Sequence, residues 1–106
     1  MAIITLLTDF SEKDGYVGIL KGVILTIAPN VRLVDLSHAI AAQDVLAGAY
    51  LLSRCAPYFP AGTIHLAVVD PGVGTARKGI AARLGSQFFV GQYAKAWRPN
   101  QDYSSP

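Results

Sequence analysis

The sequence predicts an α/β fold with a mainly parallel sheet flanked by helices. Short apolar runs with the character of buried strands alternate along the chain with segments whose apolar residues recur at helical spacing. Strands that are apolar on both faces and are joined through helices pair in parallel, with right-handed crossovers and helices on both sides. At 106 residues the chain has the size of one domain.

The first half of the chain predicts the order strand, helix, strand, helix. The expected bounds are 3–7, 16–27, 31–36 and 43–54. The first helix ends before Pro29, and its apolar face is expected to pack on the first strand. Asp14 stands just before this helix and is predicted to be its N-cap. The apolar faces of the two helices are Val17, Leu20, Ile24 and Ile27 in the first, and Val45, Ala49 and Leu52 in the second.

The second half predicts a third strand followed by a hairpin. Residues 63–69 form the strand, which is almost free of polar side chains. Residues 79–84 and 87–90 are expected to pair around a Gly-Ser turn. From residue 91 to residue 106 the chain is largely polar and has no clear period, which predicts a loose tail.

Composition and charge exclude several classes of function. Charged residues make up 15% of the chain, the net charge is +2 and basic residues form no run, so nucleic acid is not an expected partner. The apolar segment at the start of the chain ends at Asp9 and is too short for a signal peptide. No apolar run in the chain is long enough to cross a bilayer. A cytoplasmic protein without a membrane partner is therefore expected. Cys55 stands alone and is expected to be a small buried hydrophobic residue.

The candidate chemistry stands directly after the strands. In an open parallel sheet, ligands bind beyond the carboxyl ends of the strands. Asp9 follows the first strand, His38 the second and Asp70 the third, so all three are expected to open on one edge. By position alone, Asp9 is equally suited to hold two ribose hydroxyls and to cap the turn that follows it.

The segment from Asp70 to Arg77 is a loop with two glycines between an acid and a base. Such a loop can hold both charges over a ligand, or the two side chains can form an ion pair that only pins the turn. It is not a dinucleotide-binding loop, because Arg77 stands where the third glycine is needed. It is not a phosphate-binding P-loop either, because no Gly-Lys-Ser or Gly-Lys-Thr is present.

The two histidines are weaker candidates. His38 is better suited to capping or packing than to a role as acid, base or ligand. His65 lies inside the third strand and is expected to be a hydrogen-bonded core residue. Neither histidine has a cysteine at a metal-ligand spacing, so no metal site is expected.

Five short motifs lie along the chain between the first strand and the third. They are Thr8-Asp9-Phe10, Asp14-Gly15-Tyr16-Val17-Gly18, Lys21-Gly22-Val23-Ile24, Asp35-Leu36-Ser37-His38 and Val69-Asp70-Pro71-Gly72-Val73-Gly74-Thr75. In this order and spacing they resemble the S-adenosylmethionine hydroxide adenosyltransferases, a family related to fluorinase and chlorinase. The resemblance extends from the first strand to about Gly91.

The resemblance implies hydrolysis of S-adenosylmethionine to adenosine and methionine, by attack of water or hydroxide on the 5′ carbon. The family's ribose-holding aspartate falls on Asp9, and the Asp and Arg of its water-handling Asp-Arg-His trio fall on Asp70 and Arg77, the implied catalytic residues. Phe10 and Gln43 are further implied substrate contacts. The halogenating relatives carry an uncharged residue where Asp70 stands, so an acid there implies water rather than halide as the nucleophile. The resemblance implies no cofactor beyond the substrate, and the family forms homotrimers.

The resemblance ends after about Gly91, although the sequences of the family continue beyond that point. Gln92-Tyr93-Ala94-Lys95 replaces a Pro-Asp-Asn-Gly motif, and neither histidine matches the third member of the trio. The family continues into a second domain that holds adenine. The expectation is therefore a partial adenosyltransferase domain at 1–91 with a divergent tail at 92–106, and impaired hydrolysis by the truncated chain. The alternatives are a non-catalytic interaction module that pairs through an exposed sheet edge, and a nucleoside-binding module without chemistry.

Overall fold

The described residues form five strands, two α-helices and a short 3-10 helix. The computed structural model describes residues 2–11, 14–42, 44–69 and 77–94, and for 77–80 and 92–94 it describes the backbone alone. The α/β class and the predicted order of elements are confirmed, with small shifts at the ends of the elements. The elements are β1 Ile3–Thr8, α1 Tyr16–Ile27, β2 Arg32–Ser37, α2 Val45–Cys55, the 3-10 helix Ala56–Tyr58, β3 Ile64–Val68, β4 Arg77–Leu84 and β5 Gln87–Ala94.

The strands form one sheet in the order β2-β1-β3-β5-β4. β1 pairs in parallel with β2 on one side and with β3 on the other, and β3 pairs in parallel with β5. β4 runs antiparallel to β5, so it begins at the edge where the parallel strands end. We call this edge, where β1, β2, β3 and β5 end and β4 begins, the carboxyl edge of the sheet.

The core lies around the second half of β1, where residues 5–8 are enclosed. α2 packs closely on this part of the sheet, because Gly48 has no side chain: a Cβ there would lie 3.1 Å from Val69 and 3.3 Å from Leu7. The predicted apolar face of α2, which is Val45, Ala49 and Leu52, lines a cleft of about 40 Å³ against β1 and the end of β3, so these three residues lie on one face as predicted. Cys55, expected to be buried, is half-buried at the end of α2.

Two predictions about α1 are wrong. Its N-cap is Gly15, in a left-handed conformation with φ 74°, and no side chain caps the helix, so Asp14 stands one residue outside the cap position. Val17 is buried, but Ile27, assigned to the inner face, is 80% exposed. Because this helix is apolar on most of its sides, its periodicity does not single out the face that packs. Neither α1 nor α2 is long and apolar enough to cross a membrane.

The β4–β5 hairpin turns at Gly85 and Ser86 as predicted. Gly85 has φ 61°, which suits the first position of a type II′ turn, where glycine is preferred. The expectation of a loose tail is wrong at its start, because β5 continues to Ala94. Within this continuation, a Cβ at Gly91 would lie 2.8 Å from the carbonyl oxygen of Ala67, so the close approach of β5 to β3 requires glycine. The rest of the predicted tail, 95–106, lies outside the described residues.

A candidate ligand site at the carboxyl edge

Asp9 and Phe10 lie together at the carboxyl edge, directly beyond β1. Thr8, the last residue of β1, pairs with Val68, the last residue of β3. The backbone N–H of Asp9 donates to the Val68 carbonyl at 3.3 Å, which ties the start of the loop to β3. The Phe10 ring packs edge-on against the ring of Tyr16, with centroids 6.3 Å apart. These two predicted substrate-binding residues therefore occupy one loop between β1 and α1.

The other predicted site residues are only partly described. The backbone of Arg77 begins β4 opposite Ala94, beyond the point where Gly91 of β5 pairs with Ala67 of β3, and so lies at the carboxyl edge. Asp70 and Gln43 lie outside the described residues. The strand order thus places the backbones of Asp9 and Arg77 at one edge, and the convergence of their side chains with that of Asp70 stays a prediction.

A network of four side chains supports the loop that carries Asp9. Lys21 Nζ lies 2.7 Å from Asp35 Oδ2, and Asp35 Oδ1 lies 2.8 Å from His38 Nε2. His38 Nδ1 lies 2.8 Å from Thr8 Oγ1. Thr8 Oγ1 also accepts a hydrogen bond from the backbone N–H of Phe10 at 3.2 Å. We call this the Lys21–Thr8 network; it links α1 and β2 to the end of β1.

The donors in the network determine where its protons lie. Because the N–H of Phe10 donates to Thr8 Oγ1, the Thr8 hydroxyl proton is available for His38 Nδ1. The Asp35 carboxylate can only accept, so His38 Nε2 donates to it, and His38 Nδ1 shares a hydrogen bond with the Thr8 hydroxyl. The order hydroxyl, imidazole, carboxylate is familiar from nucleophilic catalysis. Here Thr8 is fully enclosed and His38 is 6% exposed, so neither side chain is open to a ligand, and of the two roles expected for His38, capping or packing, the structure shows packing.

A β-bulge in β2 brings Asp35 and His38 together. Leu6 of β1 pairs with Asp35, whereas the next residue of β1 pairs with Ser37, so β2 holds one extra residue at this point. In a regular strand, residues three apart point to opposite faces. The extra residue bends and twists the end of β2, so that the two side chains can meet.

Ser11 closes the same loop through its backbone. Its φ is 56°, in the left-handed region that costs a residue other than glycine about 1–2 kcal/mol. Its N–H donates to the carbonyl of His38 at 2.9 Å. A strained conformation of this kind persists only where the surroundings hold it. His38 therefore holds the loop on both sides of Asp9, through Thr8 before it and through Ser11 after it.

Asp35 is the charged group of the network. Burial raises the pKa of its carboxyl, but hydrogen bonds from Lys21 and His38 and the charge of Lys21 together lower the pKa below its ordinary value. Asp35 is therefore ionised at neutral pH. Its side chain is 40% exposed and that of Lys21 is 33% exposed, so their ion pair contributes at most about 1 kcal/mol to stability.

His65 lies in a separate cluster inside the sheet. Its Nδ1 lies 2.7 Å from Thr5 Oγ1, and its Nε2 lies 3.1 Å from Gln87 Oε1. The ring stacks on Phe89 at 5.0 Å and meets Phe59 edge-on at 5.6 Å. Burial lowers the pKa of His65, and the hydrogen bond that its Nε2 donates to the amide oxygen of Gln87 offsets part of that shift. The expectation of a hydrogen-bonded core histidine is confirmed.

The sequence is similar to two groups of named enzymes. Residues 4–93 match the family described as the SAM hydroxide adenosyltransferase N-terminal domain. The chain is 49% identical to (R)-S-adenosyl-L-methionine hydrolase of Thermus thermophilus over 85 residues, which are 80% of this chain and 33% of that protein. It is 34% identical to a fluorinase of an Actinoplanes species over 77% of this chain and 28% of that one.

Solved structures share the fold. A conserved hypothetical protein from Thermus thermophilus superposes with a TM-score of 0.75 at 47% identity, over 87% of this chain and 38% of that one. A conserved protein from Thermotoga maritima gives a TM-score of 0.77 at 38% identity, over 84% of this chain and 35% of that one. The chain spans about a third of the length of the S-adenosyl-L-methionine hydrolases that it matches. From the motifs, the strand order and these matches, the chain belongs to the family of SAM hydroxide adenosyltransferases.

Proposed function

We propose that this chain forms the strand-end part of a site that binds the adenosyl group of S-adenosylmethionine and directs its hydrolysis to adenosine and methionine. The observation that carries the proposal is the placement of Asp9 in a supported loop at the carboxyl edge, where open α/β sheets bind ligands. Relatives that are 42–49% identical to this chain carry the name (R)-S-adenosyl-L-methionine hydrolase, which supports the choice of ligand.

In this proposal, Asp9 holds the ribose. An ionised carboxylate accepts hydrogen bonds through two oxygens, which suits two neighbouring hydroxyl groups. Phe10 lies next to it and offers an apolar ring beside the sugar. Fixing the ribose fixes the direction in which the 5′ carbon presents its sulfonium, and such orientation is the main requirement of an in-line displacement.

The displacement itself needs little acid assistance. A water oxygen forms a bond to the 5′ carbon as the bond from that carbon to sulfur breaks, and the bonding electron pair leaves with sulfur. The sulfonium becomes the neutral thioether of methionine, and the attacking water loses a proton to the solvent to give adenosine. In the proposal, Asp70 orients the water, and the positive charge of Arg77 favours its hydroxide form.

Neither histidine of the chain can serve as the third member of the water-handling trio. His38 and His65 are both buried, and both ring nitrogens of each are engaged in hydrogen bonds within the sheet. We therefore expect the chain of 106 residues to bind adenosine and to release it from S-adenosylmethionine only slowly.

The experiment measures adenosine binding by calorimetry and adenosine release from S-adenosylmethionine by chromatography. Asp9→Ala is expected to weaken adenosine binding at least about tenfold, because a hydrogen bond to a charged group is worth roughly 1.5–3 kcal/mol. Asp14→Ala is the matched control, since Asp14 is an exposed acid in the same loop. Asp70→Asn and Arg77→Met are expected to slow release and to leave adenosine binding intact.

Three outcomes would contradict the proposal or change it. Equal weakening in Asp9→Ala and Asp14→Ala would show that Asp9 does not hold the ribose. Binding of adenosine without any release would favour the nucleoside-binding module. Fast release by the unmodified chain would show that the third catalytic group is not required.

A further inference from the structure

Three of the motifs found in the sequence meet in the Lys21–Thr8 network. Thr8 comes from the first motif, Lys21 from the third, and Asp35 and His38 from the fourth. The proposed reaction assigns none of these four side chains a role. Their hydrogen bonds nevertheless form a chain that ends at the backbone N–H of Phe10, next to Asp9.

The contact between Thr8 and Phe10 shapes the loop around Asp9. The N–H of Phe10 donates to the hydroxyl oxygen two residues before it, which closes a turn with Asp9 at its centre. A threonine hydroxyl can rotate, and its lone pairs then turn with it. The hydrogen bond between His38 Nδ1 and the Thr8 hydroxyl fixes the rotation of that hydroxyl, so a lone pair of its oxygen stays directed at the N–H of Phe10. The carbonyl of His38 fixes the far end of the loop by accepting the N–H of Ser11.

We propose that His38 is a positioning residue, which acts through Thr8 to hold Asp9 in the conformation that grips the ribose. The inference rests on the proposed function of Asp9. His38 and Thr8 are buried, so they act on the ligand only through the loop. The other ring nitrogen of His38, Nε2, is hydrogen-bonded to the carboxylate of Asp35. Lys21, which lies in α1, forms an ion pair with the same carboxylate. The influence on the ribose is therefore expected to decrease along the network from Thr8 to Lys21.

The test compares Thr8→Val with Thr8→Ser. Valine has nearly the shape of threonine but lacks the hydroxyl, whereas serine keeps the hydroxyl. The readout is the preference for adenosine over 2′,3′-dideoxyadenosine, the ratio of their dissociation constants by calorimetry at low temperature. The dideoxy compound lacks the neighbouring 2′ and 3′ hydroxyl groups that Asp9 is proposed to hold, so the ratio isolates the contribution of those two hydroxyls to binding. Thr8→Val and His38→Leu are expected to reduce the preference about tenfold, and Thr8→Ser to retain most of it.

A merely structural role predicts a different result. It would lower the melting temperature of Thr8→Val and leave the preference of the folded protein unchanged, and that outcome would overturn the inference. If Thr8→Val does not fold, Asp35→Ala decides, because Asp35 lies at the partly exposed end of the network. It is expected to reduce the preference about threefold, and no reduction would likewise overturn the inference.

The same experiment separates this inference from the proposed function. If the unmodified chain shows no preference for adenosine, or a preference that survives Asp9→Ala, the proposed role of Asp9 fails. If the preference depends on Asp9 but not on Thr8 or His38, the proposed function stands and the positioning role fails.

Discussion

Two threonine–histidine pairs on β1 are built alike and placed differently. In both pairs, the hydroxyl of a threonine in β1 lies within 2.8 Å of Nδ1 of a histidine that belongs to another part of the chain. Thr5 pairs with His65, and Thr8 pairs with His38. All four residues are buried. In the first pair Nε2 meets the amide oxygen of Gln87, and in the second it meets a carboxylate.

The two pairs differ in what surrounds them, and in our proposal one serves packing and the other serves positioning. The pair of His65 lies among aromatic rings, and Gln87 extends it to the carbonyl groups of Ala56 and Phe59, each at 2.9 Å. It therefore joins β1, β3 and β5 to the segment after α2. The pair of His38 ends at the loop of Asp9, so its bonds reach the loop that we propose to bind the ribose.

The largest expected effect is a loss of stability when the interior pair is broken. His65→Phe keeps an aromatic ring between Phe59 and Phe89 but leaves the hydroxyl of Thr5 without its partner in the core. We expect the free energy of unfolding to fall by about 2–4 kcal/mol. His38→Phe is expected to cost less, about 1–2 kcal/mol, because its carboxylate partner is partly exposed and can bind water instead. Urea denaturation followed by circular dichroism measures both, and the reverse order would contradict the comparison.

A smaller effect is expected from pH. The pKa of His65 is lowered in the folded state, so between that pKa and its ordinary value of about 6.5 the unfolded chain binds more protons than the folded one. The contribution of His65 to stability is full above about pH 6.5 and is lost as the pH falls through the folded pKa. The slope of stability against pH is measured for the unmodified chain and for His65→Phe. Equal slopes in this window would show that His65 does not titrate differently on folding.

Local signals in the sequence were sufficient to predict most of the elements. The apolar runs predicted β1, β2 and β3, and the Gly-Ser pair predicted the hairpin turn. These predictions succeeded because strand burial and turn geometry depend on neighbouring residues. The start of α2 is two residues later than predicted, because Asp44 takes the N-cap position and its side chain accepts the N–H of Ala47.

The supports of the site could not be predicted in the same way. The contact between Asp35 and His38 depends on a bulge that forms only when β2 pairs with β1, and the contact between His38 and Thr8 joins two strands. Spacing along the chain contains no sign of either. The sequence did contain one signal: Thr8, Lys21, Asp35 and His38 all belong to motifs that the chain shares with the family. That signal indicates that the four residues matter, but it does not indicate their roles.

The smallest expected effect lies at the outer end of the network. Lys21→Met removes the charge from Asp35 and keeps most of the apolar stem, and we expect a loss of stability below about 1 kcal/mol, since both side chains are partly exposed. Without Lys21, the pKa of the Asp35 carboxyl is expected to rise, because the hydrogen bond and the charge of Lys21 hold it down. An NMR titration of Asp35 measures this rise, and 1 M salt is expected to shrink the stability difference because it screens exposed charges. If Lys21→Met lowers the free energy of unfolding as much as His65→Phe does, the Lys21–Asp35 pair is needed for α1 to pack. In that case the contrast between an interior pair for packing and an edge pair for positioning fails.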